Sequence, residues 1–172
     1  MTPSHSPAPT PNLTPTPAPG LGSILTREQI IPALKAKNRW EAIDELIANL
    51  VATGKIKPEN RDGVTAAVRK RELSMSTGIG YGLGLPHAAT DLITEVVGAM
   101  GRATGGIDFE ALDEKPVNLV ILLLIPQGQF QKHLHTVSNI AKLMHKDELR
   151  LALQTAPDAE AMLQIIRNQP NP

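Results

Sequence analysis

The sequence predicts an α/β protein, a three-layer sandwich whose mixed, mostly parallel sheet is flanked by helices on both faces. Two observations support this fold class. Segments with the apolar periodicity of amphipathic helices alternate with short strand-like segments along the chain. The segment from Val117 to Ile125 is apolar at nearly every position, as in a central strand that is covered on both sides.

The composition narrows the classes of function. The 172 residues carry 17 Lys and Arg against 17 Asp and Glu, and 2% are aromatic. A chain with no excess of basic groups and few stacking side chains is a poor nucleic-acid binder. Because it lacks cysteine, it has no disulfide, thiolate metal site or thiol nucleophile. The longest apolar run, near Leu119 to Ile125, is shorter than the roughly 20 residues of a membrane-spanning helix, so we expect no membrane insertion.

The first 22 residues form a region of different character. Seven of the first 20 residues are proline, and a segment of this composition buries too little apolar surface to become ordered. We therefore predict a disordered tail at residues 1–22 and one folded domain at residues 23–172. A proline-dependent docking segment is the alternative interpretation of the tail.

The sequence of the first part of the domain predicts two helices. After a short strand or helical turn within Ser23–Leu34, Asn38 has the character of an N-cap, with Glu41 at capping-box spacing. Apolar residues recur on one side of the helix that follows, which we expect to end at Gly54. Pro58 opens a second helix that ends just before a glycine-rich stretch.

Glycine occupies every second position of that stretch, at Gly78, Gly80, Gly82 and Gly84. Larger residues alternate with the glycines, which predicts a strand with one bare face that other groups can approach closely. The stretch ends in Leu85-Pro86-His87. We expect this rigid segment to present the imidazole of His87 as the candidate functional group.

The second half of the chain predicts two strands and three helices. A strand at Glu95–Gly101 and a loop at Thr104–Pro116 precede the central strand, which ends at Pro126. A helix from about Phe130 to His145 follows, and two shorter helices complete the domain. The buried stripe of the longer helix is expected to comprise Leu134, Val137, Ile140, Ala141 and Met144.

Two common kinds of site do not fit these residues. The glycine stretch matches neither the dinucleotide-binding pattern G-x-G-x-x-G nor the phosphate loop with its Lys-Ser/Thr pair, which disfavours a nucleotide cofactor. His133 and His135 point to different sides of a helix, so they do not form a chelating pair. We therefore predict neither a cofactor nor a metal. On residue type alone, His87 is as readily a buried or capping histidine as a functional one.

Two blocks of sequence resemble one protein family. The first block resembles the phosphorylation-site signature of that family. It comprises three segments, Arg71-Glu72, Ser76-Thr77-Gly78-Ile79-Gly80 and Leu85-Pro86-His87. The family is enzyme IIA of the fructose/mannitol/nitrogen-regulatory type (type 2), from the phosphoenolpyruvate-dependent sugar phosphotransferase system (PTS). A second block begins at His133-Leu134 and continues through Ile140-Ala141-Lys142-Leu143. The resemblance extends from about Ser23 to Asn168.

The resemblance implies roles for three residues. His87 matches the histidine that accepts a phosphoryl group on its Nε2 atom. His133 matches a second active-site histidine, which hydrogen-bonds the phosphoryl group or orients the site. Arg71 matches an arginine that can turn toward the phosphohistidine, although by itself it also fits a cation favoured at a helix C-terminus. Ala88 departs from the family, which usually has glycine at this position, and its methyl group restricts the loop.

The resemblance also implies partners and a location. A phosphotransferase component of this kind would take the phosphoryl group from the phosphocarrier protein HPr and pass it to an enzyme IIB component in sugar transport, in the cytoplasm. Because IIB of the fructose and mannitol systems carries the group on cysteine, and this chain has none, we expect IIB on a separate chain. Two alternatives stay open. One is a nitrogen-regulatory signalling protein whose phosphorylation state controls binding to a partner protein, and the other is a module that binds without being phosphorylated.

Overall fold

The computed structural model describes residues 20–169. Six helices are Leu21–Ile24 (α1), Arg39–Ala52 (α2), Arg61–Ser74 (α3), Phe130–Leu143 (α4), Asp147–Thr155 (α5) and Ala159–Arg167 (α6). Six strands are Ile30–Ile31 (β1), Gly78–Gly80 (β2), Leu83–Gly84 (β3), His87–Thr90 (β4), Val97–Ile107 (β5) and Val117–Pro126 (β6). Short 3-10 turns precede β1, α3 and α4. Residues 1–19 of the predicted tail lie outside the described part of the chain.

The six strands form one mixed sheet around β6. The strand order is β1-β5-β6-β3-β2, and β4 also pairs with β6. Strands β3 and β4 run parallel to β6, whereas β5 runs antiparallel to it. The prediction that the apolar segment is the central strand is confirmed, because every residue of β6 except Asn118 is buried.

The side chains of β6 alternate between two hydrophobic cores. Val120, Leu122 and Leu124 belong to the core that contains the buried faces of α2 and α3. Ile121 and Leu123 belong to the other core, which α1, α4, α5 and α6 cover. Because successive side chains of a strand point to opposite faces, a fully apolar β6 requires helices on both sides. The predicted three-layer sandwich is confirmed.

Helix α2 begins as predicted. The Asn38 side chain accepts a hydrogen bond from the backbone N–H of Glu41 at 3.0 Å, which satisfies one of the unpaired donors at the helix start. The Glu41 carboxylate in turn accepts from the backbone N–H of Lys37 at 2.7 Å. The helix ends at Ala52, and Gly54 follows with a positive φ of 77°, a conformation typical of the residue that terminates a helix.

The glycine stretch is a tight hairpin and not the single strand that we predicted. Strands β2 and β3 pair antiparallel, with Gly78 opposite Gly84. The chain reverses at Tyr81 and Gly82, which both have positive φ values, 59° and 73°. Alternating glycine therefore reflects a turn and close packing on both arms, because positive φ is accessible to glycine at little cost.

The predicted loop at Thr104–Pro116 is partly wrong. Strand β5 extends through Thr104 to Ile107, where it pairs with Val117 of β6. The register shifts between Arg102 and Ile107, so the two glycines at positions 105 and 106 lie in an irregular part of the strand, where the pairing is interrupted and then resumes. Sequence alone does not separate such an interruption from a loop.

The predicted buried stripe of α4 is wrong at Leu134, whereas Val137 and Ala141 pack, partly buried, against the core as predicted. Leu134 is 48% exposed, whereas His133 and Thr136 are buried at 6% and 1%. Ile140 and Met144 are buried as predicted. A histidine and a threonine can occupy the apolar face because their side chains satisfy each other and Gln129 by hydrogen bonds.

The packing of the hairpin yields a prediction for Gly84. A Cβ atom at this position would lie 2.8–3.0 Å from three ring atoms of Phe109, which is fully buried. We expect Gly84→Ala to lower the free energy of unfolding by about 1–3 kcal/mol, as overpacking does. Urea unfolding measures the change. Gly105→Ala is the matched control, because nothing lies within 4 Å of its Cβ position. An equal loss of unfolding free energy in both variants would contradict the close packing of Gly84 on Phe109.

Candidate active site

His87 is the first residue of β4 and lies half-buried beside the central strand. Its Nδ1 atom is 2.8 Å from the carbonyl oxygen of Leu85. Because a carbonyl only accepts hydrogen bonds, Nδ1 carries the proton and Nε2 keeps its lone pair. Within residues 20–169, Nε2 has no hydrogen-bond partner and is not among the buried unpartnered atoms. Nε2 is therefore neither paired within these residues nor fully buried.

The surroundings keep the imidazole of His87 neutral. Burial is the largest cause and lowers its pKa below the ordinary value of 6.5, because desolvation disfavours the charged ring. The Leu85 carbonyl opposes this by stabilising the ring proton, and the charges of Arg71 and Glu72 act in opposite directions, lowering and raising the pKa respectively. A neutral imidazole with a free Nε2 is a nucleophile near neutral pH.

The segment that carries His87 continues the line of the hairpin along β6. Gly84 pairs with Val120, and His87 pairs with Leu123 three residues further on. Between the two strands the Pro86 carbonyl accepts from the backbone N–H of Leu123 at 3.0 Å. Since proline has a fixed φ and no N–H, it interrupts the strand and lets the Leu85 carbonyl turn toward the His87 ring.

The outer edge of the hairpin is covered by a neighbouring segment of the chain. The Gly78 carbonyl accepts from the backbone N–H of Leu112 at 2.9 Å, and a Cβ atom on Gly78 would lie 2.8 Å from the Cα atom of Ala111. The hydroxyl of Ser76 donates to the Phe109 carbonyl at 2.9 Å. These contacts cover the edge of β2 at Gly78.

A buried carboxylate that our sequence analysis gave no role anchors the start of the hairpin. Glu72, near the end of α3, is 1% exposed. It accepts from the backbone N–H of Thr77 at 3.0 Å and from the Thr77 hydroxyl at 2.6 Å. The Arg39 guanidinium lies 3.4 Å away. The signal in the sequence was Glu72 itself, an acid at a position where the helix faces the protein interior.

Arg71 lies in the last turn of α3, at the base of the same hairpin. Its guanidinium donates to the Met75 carbonyl at 3.2 Å and lies 3.5 Å from the Ser74 hydroxyl. It is near enough to His87 for its charge to lower the pKa of the ring, but it makes no hydrogen bond to it. The structure thus brings Arg71 into the neighbourhood of His87, where it also satisfies a carbonyl at the helix end.

His133 lies in the first turn of α4, which follows the end of β6. Its Nε2 atom is 3.1 Å from the Gln129 side-chain oxygen, and its Nδ1 atom is 3.4 Å from the Thr136 hydroxyl. Burial lowers its pKa, and the charge of Lys132 adds to this effect. Strand β6 ends at Pro126, which pairs with Thr90 of β4, whereas His87 pairs with Leu123. No hydrogen bond joins the two rings among the described residues.

Two further observations bear on the class of site. In residues 20–169, no group of three or more His, Asp or Glu side chains is placed to hold a metal ion. None of the described helices is both long and apolar enough to cross a membrane.

Comparison with known proteins identifies the family. The model of the family described as "Phosphoenolpyruvate-dependent sugar phosphotransferase system, EIIA 2" matches residues 23–169. The chain belongs to this family. EIIA components are phosphocarriers of the phosphotransferase system, and this chain is therefore a phosphotransferase component.

Relatives of the EIIA domain include both regulatory and sugar-specific proteins. The nitrogen regulatory protein of Bradyrhizobium diazoefficiens is 31% identical over 147 residues, which cover 86% of this chain and 94% of that protein. The fructose-specific EIIA component of Haloferax volcanii is 37% identical over 107 residues, which cover 62% and 68%. The fructose-specific EIIABC component of Bacillus subtilis is 33% identical over 143 residues, but the match spans only 22% of its length.

Solved structures agree with the fold. The crystal structure of nitrogen regulatory protein IIA-Ntr from Neisseria meningitidis matches with a TM-score of 0.76 at 27% identity and covers 84% of this chain and 97% of that chain. A chain of the complex of enzyme IIAMTL and phosphorylated enzyme IIBMTL from Escherichia coli matches with a TM-score of 0.70 at 19% identity, covering 84% and 98%. The second likeness shows the fold alone.

The lowered pKa of His87 predicts how stability depends on pH. Between the folded and unfolded pKa values the unfolded chain binds more protons, so the contribution of neutral His87 is complete above about pH 6.5 and is lost as the pH falls toward the folded pKa. We expect the wild type to lose more free energy of unfolding than His87→Asn between about pH 8 and pH 5. Urea unfolding at both pH values tests this, and equal losses would contradict it. The asparagine amide retains a donor for the Leu85 carbonyl.

Proposed function

We propose that His87 is the phosphoryl acceptor of this EIIA domain, which receives the group from phospho-HPr and passes it to an enzyme IIB component on another chain. One observation carries this proposal most strongly. Nδ1 of His87 is committed to the Leu85 carbonyl, while Nε2 has no hydrogen-bond partner among residues 20–169 and is not fully buried. A protein that accepts a phosphoryl group on imidazole needs one such nitrogen within reach of a donor.

The transfer can be written with all atoms accounted for. The lone pair on Nε2 of His87 attacks the phosphorus in line, and the P–N bond to the donor imidazole breaks as its nitrogen takes back the electron pair. Nδ1 keeps its proton, so the phosphorylated ring acquires positive charge. The Leu85 carbonyl, which already accepts a hydrogen bond from Nδ1–H at an N···O distance of 2.8 Å, stabilises this charge as it develops.

Arg71 and His133 are the proposed donors to the phosphoryl oxygens. Arg71 at present donates its hydrogen bonds to groups at the exposed end of α3. A guanidinium binds a phosphoryl dianion more strongly than such groups, so Arg71 can exchange these contacts for the phosphoryl group. His133 is neutral at physiological pH because burial lowers its pKa. With the Gln129 oxygen as acceptor, its Nε2 carries a proton that it could donate instead to a phosphoryl oxygen.

Exposed apolar side chains near these residues support a protein partner. Leu73 and Met75 are 72% and 61% exposed and follow Arg71 at the end of α3. Phe130 and Leu134 are 38% and 48% exposed and flank His133. Apolar groups around a polar centre are typical of protein–protein interfaces, and phosphoryl transfer between two imidazoles requires such docking. We place the domain, residues 23–172, and its predicted tail, residues 1–22, in the cytoplasm with these partners.

A second candidate function is nitrogen-regulatory signalling, in which the phosphorylation state controls binding to a partner protein. The observation that favours it is the near full-length similarity to nitrogen regulatory proteins. The two functions use the same phosphorylated residue and differ in the partner. A pull-down with the phosphorylated and unphosphorylated forms separates them, since an IIB component favours transport and a regulatory protein bound by one form alone favours signalling.

The acceptor role predicts that His87→Ala takes no phosphoryl label. Incubation with labelled phosphoenolpyruvate, enzyme I and HPr should label the wild type, and mass spectrometry should place the group on His87. His135→Ala is the matched control, since His135 is an exposed histidine on α4 and its loss should leave labelling unchanged. Label retained by His87→Ala would reject the site.

The role of His133 predicts a defect in rate and not in acceptance. We expect His133→Ala to remain phosphorylated on His87 but to transfer about 100- to 1,000-fold more slowly, the range for losing one preorganised donor. Rapid-quench measurement of transfer from phospho-HPr gives the rate. Transfer at the wild-type rate in both directions would remove His133 from the mechanism.

A further inference from the structure

We propose that Glu72 is a positioning residue for His87, acting through Thr77 and Leu85 to direct the Leu85 carbonyl at Nδ1 and thereby leave Nε2 as the nucleophile. The proposal rests on the proposed acceptor role of His87. It assigns a function to a buried carboxylate that never touches the reacting atoms.

The first link is the contact between Glu72 and Thr77. Glu72 is 1% exposed, and a buried carboxylate is stable only when its oxygens are paired. One oxygen accepts from the Thr77 backbone N–H at 3.0 Å and lies 3.4 Å from the Arg39 guanidinium; the other accepts from the Thr77 hydroxyl at 2.6 Å. Both the main chain and the side chain of Thr77 are therefore held by one carboxylate.

The second link runs through the backbone of the hairpin. The Thr77 carbonyl accepts from the backbone N–H of Leu85 at 3.0 Å, and the Leu85 carbonyl accepts from Nδ1 of His87 at 2.8 Å. Thr77 and Leu85 are both buried, at 3%, and Pro86 has a fixed φ. Because no flexible side chain intervenes between Thr77 and the Leu85 carbonyl, the position of one determines the position of the other.

A general role in joining α2 to α3 does not account for this arrangement. A second ion pair, Arg69–Asp44 at 2.8 Å, already connects the two helices, and its side chains are 41% and 45% exposed. It makes no contact with the hairpin among the described residues. Glu72, in contrast, directs two hydrogen bonds into the segment that leads to His87. Asp44 therefore provides a control that disrupts a pair between the same helices and spares the hairpin.

The experiment compares Glu72→Ala, Thr77→Val, Thr77→Ser and Asp44→Asn with the wild type. Thr77→Val removes the hydroxyl donor and retains the backbone N–H, whereas Thr77→Ser keeps both. Two readouts are needed: the tautomer of His87 in the unphosphorylated protein, from long-range ¹H–¹⁵N NMR, and the rate of phosphoryl transfer from phospho-HPr. Circular dichroism and the urea midpoint establish that each variant is folded.

We expect the wild type, Thr77→Ser and Asp44→Asn to show the Nδ1–H tautomer and to react at similar rates. Glu72→Ala and Thr77→Val should show a mixture of tautomers and transfer about 10- to 100-fold more slowly, since a displaced nucleophile loses rate on this scale. If Glu72→Ala does not fold, Thr77→Val decides the question.

A folded Thr77→Val variant with the tautomer and rate of the wild type would overturn the proposal. So would a slow variant that keeps the Nδ1–H tautomer, because its defect would then be structural. A wild-type chain that takes no phosphoryl group would refute the acceptor role, and the NMR comparison would still decide whether Glu72 controls the ring.

Discussion

The hydrogen bond between Nδ1 of His87 and the Leu85 carbonyl is the interaction on which the chemistry of this protein depends. It selects one tautomer, fixes the plane of the ring and leaves Nε2 as the nitrogen with a lone pair. The segment that makes this bond is held along β6, because β3 and β4 both pair with β6 and the Pro86 carbonyl accepts from the backbone N–H of Leu123.

The rest of the fold can be understood as support for that geometry. Strand β6 is buried in two cores and is the most constrained element of the sheet, so a segment registered on it has little freedom. Gly78 and Gly84 let the hairpin backbone pack closely against Ala111 and Phe109, respectively. Preorganisation of this kind is the main contribution that a protein can make to phosphoryl transfer between imidazoles.

The fold class followed from sequence because its signals were strong and local. A fully apolar β6 requires that helices cover both faces of the sheet. The N-cap and the apolar periodicity of α2 are both visible in the sequence. The errors arose where tertiary contacts override local pattern. The glycines at positions 105 and 106 lie within β5 because its pairing with β6 resumes at Ile107. On α4, His133 and Thr136 are buried and Leu134 is exposed, because the two polar side chains form a hydrogen-bonded pair that can face the interior.

The candidate site was predicted in part. His87, His133 and Arg71 came from the resemblance to a family, and the charge of Arg71 lowers the pKa of His87; no hydrogen bond joins His133 to His87 among the described residues. The anchoring role of Glu72 was not predicted, since a charged residue at a helix end normally faces solvent, although Glu72 continues the inward-facing positions of Val64 and Val68. Only its burial and its contacts with Thr77 and Arg39 reveal it.

The central claim is that Nδ1 is occupied and that Nε2 of His87 receives the phosphoryl group. The most direct test is ³¹P–¹⁵N NMR of the wild-type protein, labelled with ¹⁵N in histidine, after phosphorylation by phosphoenolpyruvate, enzyme I and HPr. The account predicts one phosphohistidine, at position 87, with phosphorus coupled to Nε2 and a proton retained on Nδ1. Phosphorus on Nδ1, on another residue or on none would contradict it.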